Sequence, residues 1–163
     1  MGVLLRGRSG SGKSDLALGL VDRGHSLVAD DQVEFVVVDG RLVGRCRAGC
    51  GEFIEIRGLG VVNLARLYGK WAVRQLAPLG LVLTLETADD RDGFSRGHLS
   101  PLWGNWNLLG VDVAELTLPH GRGRDLPLLV EMAVRLNHLR QQGYDATVEW
   151  EANLATLMRE ESA

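Results

Sequence analysis

"GVLLRGRSGSGKSDLALGLVDRG", residues 2–24, decides the fold. A short apolar run, residues 2–6, feeds a glycine-rich segment in which Gly7, Gly12, Lys13 and Ser14 match the pattern G-x-x-x-x-G-K-[ST] without mismatch. From Lys13 onward, Leu16, Leu20 and Val21 recur at helical spacing, and Gly24 supplies the usual stop. A strand, a glycine loop and a helix in that order form a phosphate-binding device. The backbone N–H groups of Gly7, Arg8, Ser9, Gly10, Ser11, Gly12, Lys13 and Ser14 can converge on phosphate oxygens at the positive end of the helix. Lys13 is expected to reach the terminal phosphates, and the Ser14 hydroxyl to hold Mg²⁺. The loop alone leaves the phosphate acceptor open: switches, motors, metabolite kinases and protein kinases all use it.

Further along, residues 26–30, "SLVAD", read as a second strand with Asp30 and Asp31 at its end. "VEFVVVDGRLVGR" reads as a hairpin turning at Asp39-Gly40, because both residues tolerate positive φ. "FIEI", residues 53–56, predicts a short strand that stops at "RGLG". "LVLTLE", residues 81–86, predicts the central strand, and "AELTLP", residues 114–119, another. Helices are expected from Leu126 to about Gln142, stopped by Gly143, and over 146–160. Trp103 and Trp106 in "LWGNW" read as loop aromatics packed on the core. Together these give one α/β domain over residues 1–163, without repeat or linker.

The bulk properties narrow the function classes. The 163 residues suffice for one core, and 45% hydrophobic with 24% charged residues is ordinary for a globular domain. Eighteen Lys and Arg against 21 Asp and Glu give a net charge of -3, the wrong sign for general nucleic-acid affinity. No apolar run is long enough to span a membrane and no leader precedes the first strand, so a cytoplasmic protein is expected. Cys46 and Cys50 in "CRAGC" have no second pair to complete a metal site and read as reduced thiols in a loop. His25, His98 and His138 lack a motif and read as solvent or packing residues, while His120 lies in the basic loop "HGRGR".

Magnesium held by a hydroxyl needs carboxylate company. The candidates are Asp30, Asp31, Glu34, Glu52 and Glu55. Adjacent residues at a strand end point to opposite faces, so Asp30 and Asp31 should divide the work. One would serve the metal or the loop, the other an acceptor hydroxyl.

"GRSGSGKSDLALGLVDRGHSLVADDQVE", "EIRGLGVVNLARLYG" and "LPHGRGRDLPLLVEMAVRLN" together resemble the HPr kinase/phosphorylase family over roughly residues 2–140. The resemblance implies a P-loop-containing α/β fold, a phosphoenolpyruvate carboxykinase-like mixed sheet with flanking helices. It implies an ATP-dependent kinase for a serine of the phosphocarrier HPr, or of a related nitrogen-branch carrier. The reverse activity would use inorganic phosphate and release pyrophosphate, which is also the alternative donor to ATP. By the same resemblance, residues 7–14 bind nucleotide, Lys13 contacts the transferred phosphate, and Ser14 with Glu55 holds Mg²⁺. Asp31 is the general base toward the serine and the general acid in reverse, and Arg91 in "DDRDG" is an arginine needed for activity. The loop 119–124, with Gly123 and Arg124, matches the segment tied chiefly to dephosphorylation. Asp30, Arg57, Gly58 and Gly60 complete the site candidates, Arg57 standing between a salt-bridge and a phosphate-contact role. Similar enzymes are hexamers, so a homo-oligomer is expected.

The sequence also departs from the family. Full-length members have an N-terminal domain, and a catalytic His stands just upstream of the first strand, where this chain has Met1-Gly2. The expectation is a short, single-domain form whose start is truncated or mis-called; the alternative is a member that lacks that phosphate contact. Gly121 and Arg122 replace a basic residue and a proline, so the kinase half of the activity is better supported than the phosphorylase half. Two other readings fit part of the pattern: a P-loop kinase for a small metabolite, and a non-catalytic nucleotide-binding regulator. The first leaves "EIRGLG" unexplained; the second leaves no use for a placed base.

Overall fold

The first strand and helix form where the apolar spacing puts them. In the computed structural model, which describes residues 1–47, 51–87, 102–120 and 123–160, β1 (Gly2–Gly7) runs into the glycine loop and α1 (Lys13–Asp22) follows. The chain then forms a hairpin, β2 (Val33–Val38) and β3 (Arg41–Cys46), and a second, β4 (Phe53–Ile56) and β5 (Gly60–Asn63). After α2 (Leu64–Tyr68) and a short 3-10 turn come β6 (Leu76–Thr87), β7 (Leu102–Leu108), β8 (Val111–His120), α3 (Leu126–Gln141) and α4 (Ala146–Glu160).

The main sheet is mixed. β6 lies at its centre, parallel to both β1 and β8, while β7 pairs antiparallel with β8 and the β2–β3 hairpin joins through β3. A strand covered on both faces needs a continuous apolar run. β6 meets that need with Leu81, Val82 and Leu83, all completely buried. Leu81, Leu83 and Leu85 pack with Leu16 of α1 and Val130 and Ala133 of α3, whereas Val82 faces Leu42 and Val113 on the other side. Each such leucine contributes about 1.5–3 kcal/mol of burial.

α1 has apolar residues on two sides. Leu16 meets the sheet, while Val21 joins Leu27, Ile54, Ile56, Leu64 and Ala72 in a second cluster beneath the β4–β5 hairpin. The helix that opens at Lys13 is thus clamped between two sheets. Gly19 lets α3 approach: a Cβ there would stand 3.0 Å from Pro127. Asp125 caps α3 by accepting from the Leu128 N–H at 3.1 Å. Gly24, in the left-handed region at φ 97°, closes α1 as expected.

The Asp39-Gly40 hairpin, the central strand and the two C-terminal helices stand where the sequence puts them, with β6 and β8 longer than expected. Two expectations fail. Residues 26–30 form no strand: Leu27 makes a single parallel bridge to Val73, and the chain then turns so that the Asp30 side chain reaches α1 and β4. "LWGNW" is not a loop but β7, whose alternation sends Trp103 to the helix-covered core and Trp106 to the opposite face. Its hairpin turn is Leu109-Gly110, both at positive φ, and Gly110 was the available signal. β5, "GVVN", goes unpredicted, because "RGLG" reads only as the stop of the preceding strand and not as a hairpin turn.

Candidate active site

Residues 7–14 form an open cradle at the start of α1. Gly10 and Gly12 have φ of 79° and 81°, the left-handed region that a side chain resists, and no side chain caps the helix start. A Cβ on Gly7 would stand 2.8 Å from Ser11 Oγ and 3.1 Å from the Leu85 carbonyl, so only glycine lets the loop leave the sheet there. The Lys13 ammonium donates to the carbonyls of Gly7 at 3.1 Å and Arg8 at 2.9 Å. An ammonium carries three donors, so one is left for a phosphate oxygen. Ser11 Oγ is buried under the loop and has no hydrogen-bond partner among the described residues.

The second wall comes from the β4–β5 hairpin. Its turn holds Gly58 at φ 89° and Gly60 at φ 80°, with the Leu59 N–H donating to the Ile56 carbonyl at 3.0 Å. This turn aims Arg57 at the cradle: its Nη2 lies 3.9 Å from where a Cβ on Gly10 would stand. That position suits a phosphate contact, and no salt bridge occupies Arg57 among the described residues.

Beside the β4–β5 hairpin lies an open cleft of about 320 Å³, lined by Asp30, Asp31, Glu55, Cys46, Phe53 and Val61 among others; Asp30 links it to the cradle through Ser14. Ser14 Oγ donates to Asp30 Oδ1 at 2.8 Å, and the Glu55 N–H donates to Asp30 Oδ2 at 3.2 Å. Asp31 is exposed and makes no side-chain hydrogen bond among the described residues. The two aspartates do not end a strand, and both line the same cleft; they differ in that one is tied and the other is not. Of the other carboxylate candidates, Glu34 pairs with Arg45 at 3.1 Å and Glu52 accepts from Asn63 at 3.2 Å, away from this set.

Among the described residues, no three His, Cys, Asp or Glu side chains converge on one point. Magnesium beside a nucleotide does not need such a cage, because phosphates and water supply most of its oxygens. The all-oxygen set of Ser14, Asp30 and Glu55, cross-linked by hydrogen bonds next to the cradle, fits that ion.

β1, β6 and β8 run parallel, so their carboxyl ends, at Gly7, Thr87 and His120, open onto one edge of the sheet, the usual ligand edge of such folds. Gly123 has φ 84°, and Arg124 turns back to donate to the Pro119 carbonyl at 3.0 Å. Arg91, His98, Cys50 and residues 121–122 lie outside the described residues. Farther off, Arg23 and His25 at the end of α1 hold Glu131 of α3 at 2.6 and 3.0 Å. Chiefly through Arg23, then His25, the Glu131 carboxyl is lowered to a pKa of about 2. His25 therefore serves packing of the helix pair, as the sequence suggested. Among the described residues, no helix is long and apolar enough to cross a membrane.

The family model of the HPr serine kinase C-terminal domain matches residues 1–154. The HPr kinase/phosphorylase of Neisseria meningitidis serogroup C is 42% identical over 161 residues, covering 98% of this chain and 50% of that protein. That of Treponema pallidum strain Nichols is 36% identical over 165 residues, covering 100% and 51%. The chain thus spans about half the length of the curated relatives it matches. The solved HPr(Ser) kinase/phosphatase of Coxiella burnetii superposes with a TM-score of 0.81 at 35% identity, covering 92% of this chain and 90% of that one. With the cradle, the cleft and the mixed sheet in place, these matches show that the chain belongs to the HPr serine kinase C-terminal domain family.

Proposed function

We propose that residues 1–163 act as a single catalytic domain with a P-loop fold of the phosphoenolpyruvate carboxykinase type, transferring phosphate from ATP to a serine of an HPr-type carrier protein. The observation that carries this reading is Asp31, an exposed carboxylate in the same cleft as Asp30 and Glu55, with Asp30 bonded to the loop residue Ser14. An exposed base in an open cleft suits a hydroxyl presented by a protein, whereas a small-metabolite kinase encloses its acceptor.

In the forward direction the serine oxygen attacks the terminal phosphorus of ATP, the bond to the ADP oxygen breaks, and Asp31 takes the serine proton. Lys13 and Arg57 meet charge on the phosphoryl oxygens, with Arg91 the third cation. Bound Mg²⁺, held by Ser14 and Glu55, would neutralise charge on the donor phosphates. In reverse, a phosphate oxygen attacks phosphoserine, protonated Asp31 returns its proton to the departing serine oxygen, and pyrophosphate leaves. The 119–124 loop, with Gly123 and Arg124, is the site for that inorganic phosphate. The working form is a homo-oligomer, a hexamer by family likeness.

The test is incubation of the protein with Mg-ATP and purified HPr-type carriers, followed by mass spectrometry. Phosphoserine on a carrier supports the reading. Nucleotide binding without transfer to any carrier would point instead to a nucleotide-binding regulator.

A further inference from the structure

The aspartate that is not the base holds the more constrained position. Asp30 sits on the segment between the Leu27 bridge and β2, and its two carboxylate oxygens bind groups on two other elements. Oδ1 accepts the proton of the Ser14 hydroxyl in the first turn of α1, at 2.8 Å, and Oδ2 accepts the backbone N–H of Glu55 in β4, at 3.2 Å. Ser14 and Glu55 are 41 residues apart; their elements, α1 and β4, pack through Val21, Ile54 and Ile56, and Asp30 adds the polar link between the two groups themselves.

A serine hydroxyl has one proton and two lone pairs, and it rotates among three staggered positions. Giving the proton to Asp30 selects one rotamer and turns the lone pairs away from the carboxylate. The oxygen is then presented as a ligand and not as a donor. At Glu55 the bond goes to the backbone, so it fixes where the side chain starts without occupying the side chain. Asp30 is half-buried while Glu55 and Asp31 are exposed, and of its two charge-assisted bonds the one to Ser14 is the better shielded.

We propose that Asp30 is a positioning residue that sets the spacing of the two magnesium-holding groups, Ser14 and Glu55, and is neither the base nor itself a ligand. This deepens the proposed function and rests on its assignment of Ser14 and Glu55 to the metal. It also separates two adjacent aspartates by what they touch: Asp31 meets the acceptor, and Asp30 meets the protein.

The test uses the full chain and needs no carrier. ADP affinity is measured calorimetrically with and without Mg²⁺ in wild type, Asp30→Ala, Ser14→Ala and the double variant, and exchange of the Glu55 amide is followed by deuterium labelling. Asp30→Ala is expected to weaken apparent Mg²⁺ affinity by about tenfold, the usual scale for losing a residue that orients a ligand. ADP affinity without metal should stay at the wild-type level. Added to Ser14→Ala, the Asp30 change should cost little more, because its main action runs through Ser14. The Glu55 amide should exchange faster.

Where Asp30→Ala does not fold, Asp30→Asn carries the test. Its side chain keeps one acceptor oxygen, so if that oxygen accepts from the Glu55 N–H, its NH2 can only donate to Ser14 Oγ, which takes up a lone pair that the metal would use. Additive losses in the double variant would make Asp30 a direct ligand and overturn the proposal. So would an unchanged Glu55 amide, or a wild-type protein whose ADP affinity ignores Mg²⁺. A wild type that binds Mg-ADP in this pattern but phosphorylates no carrier would instead sink the kinase assignment and leave the positioning role standing.

Discussion

At the centre of β6, Leu81, Val82 and Leu83 are completely buried, whereas in the cleft Asp31 and Glu55 stand exposed and Asp30 is tied down. The sheet interior is held by many interchangeable contacts, each undirected. The cleft depends on two directed bonds made by one carboxylate. Removing a leucine should therefore lower stability and leave the chemistry of surviving molecules intact; removing a cleft aspartate should do the reverse. A core leucine, or the untied Asp31, that moved both would break the distinction.

The largest expected effect is Asp31→Ala, which should slow carrier phosphorylation by roughly 10²–10⁴-fold, the range for losing a general base. Thermal stability and ADP affinity should match wild type, because Asp31 bonds to nothing among the described residues. Retained activity would move the base elsewhere. Next, Leu83→Ala should cost about 2–5 kcal/mol in denaturant unfolding, by transfer and cavity effects together. Its Mg-ADP affinity, measured where the variant is still folded, should be unchanged.

Gly12→Ala tests the boundary between the two regions, since Gly12 belongs to the cradle but starts the helix that the core clamps. At φ 81° an alanine should cost about 1–2 kcal/mol of backbone strain. A Cβ there meets nothing within 4 Å, so the loss should register as strain and not as a clash. Calorimetric melting and ADP titration read the two sides of that residue together.

The smallest effect concerns the clasp between α1 and α3. Glu131 titrates near 2 in the folded protein, against an ordinary value of 4.5, because Arg23 and then His25 favour its charged form. Between those values the unfolded chain binds the extra proton, so the clasp's contribution is full above pH 4.5 and is lost as pH falls toward 2. Glu131→Gln should flatten the acid limb of the stability curve in that window, followed by urea unfolding at several pH values. An unaltered limb would show that the ion pair does not matter in solution.

The same contrast explains how much could be read in advance. β1, α1, β6 and both C-terminal helices carry local periodicity, and the glycine loop carries its own spacing, so their outlines were legible from residues alone. The roles proposed for Asp31 and Glu55 rest on family likeness. The rest depended on distant partners. "SLVAD" has the composition of a strand, but Asp30 spends its carboxylate on α1 and β4, and the chain leaves the ladder after one bridge. "LWGNW" carries a glycine and two asparagines that favour turns, yet Trp103 and Trp106 bury on opposite faces of β7 and outweigh them. The position of Arg57 over the cradle was equally invisible, because it follows from how the β4–β5 turn meets Gly10.

The most direct measurement is mass spectrometry of HPr-type carriers after incubation with this protein and Mg-ATP, with Asp31→Ala alongside. The expected result is phosphoserine on a carrier with wild type and almost none with Asp31→Ala, although both bind nucleotide equally. Equal phosphorylation by the two proteins, or none by wild type with every carrier, would contradict the assignment of this cleft as a protein-serine kinase site.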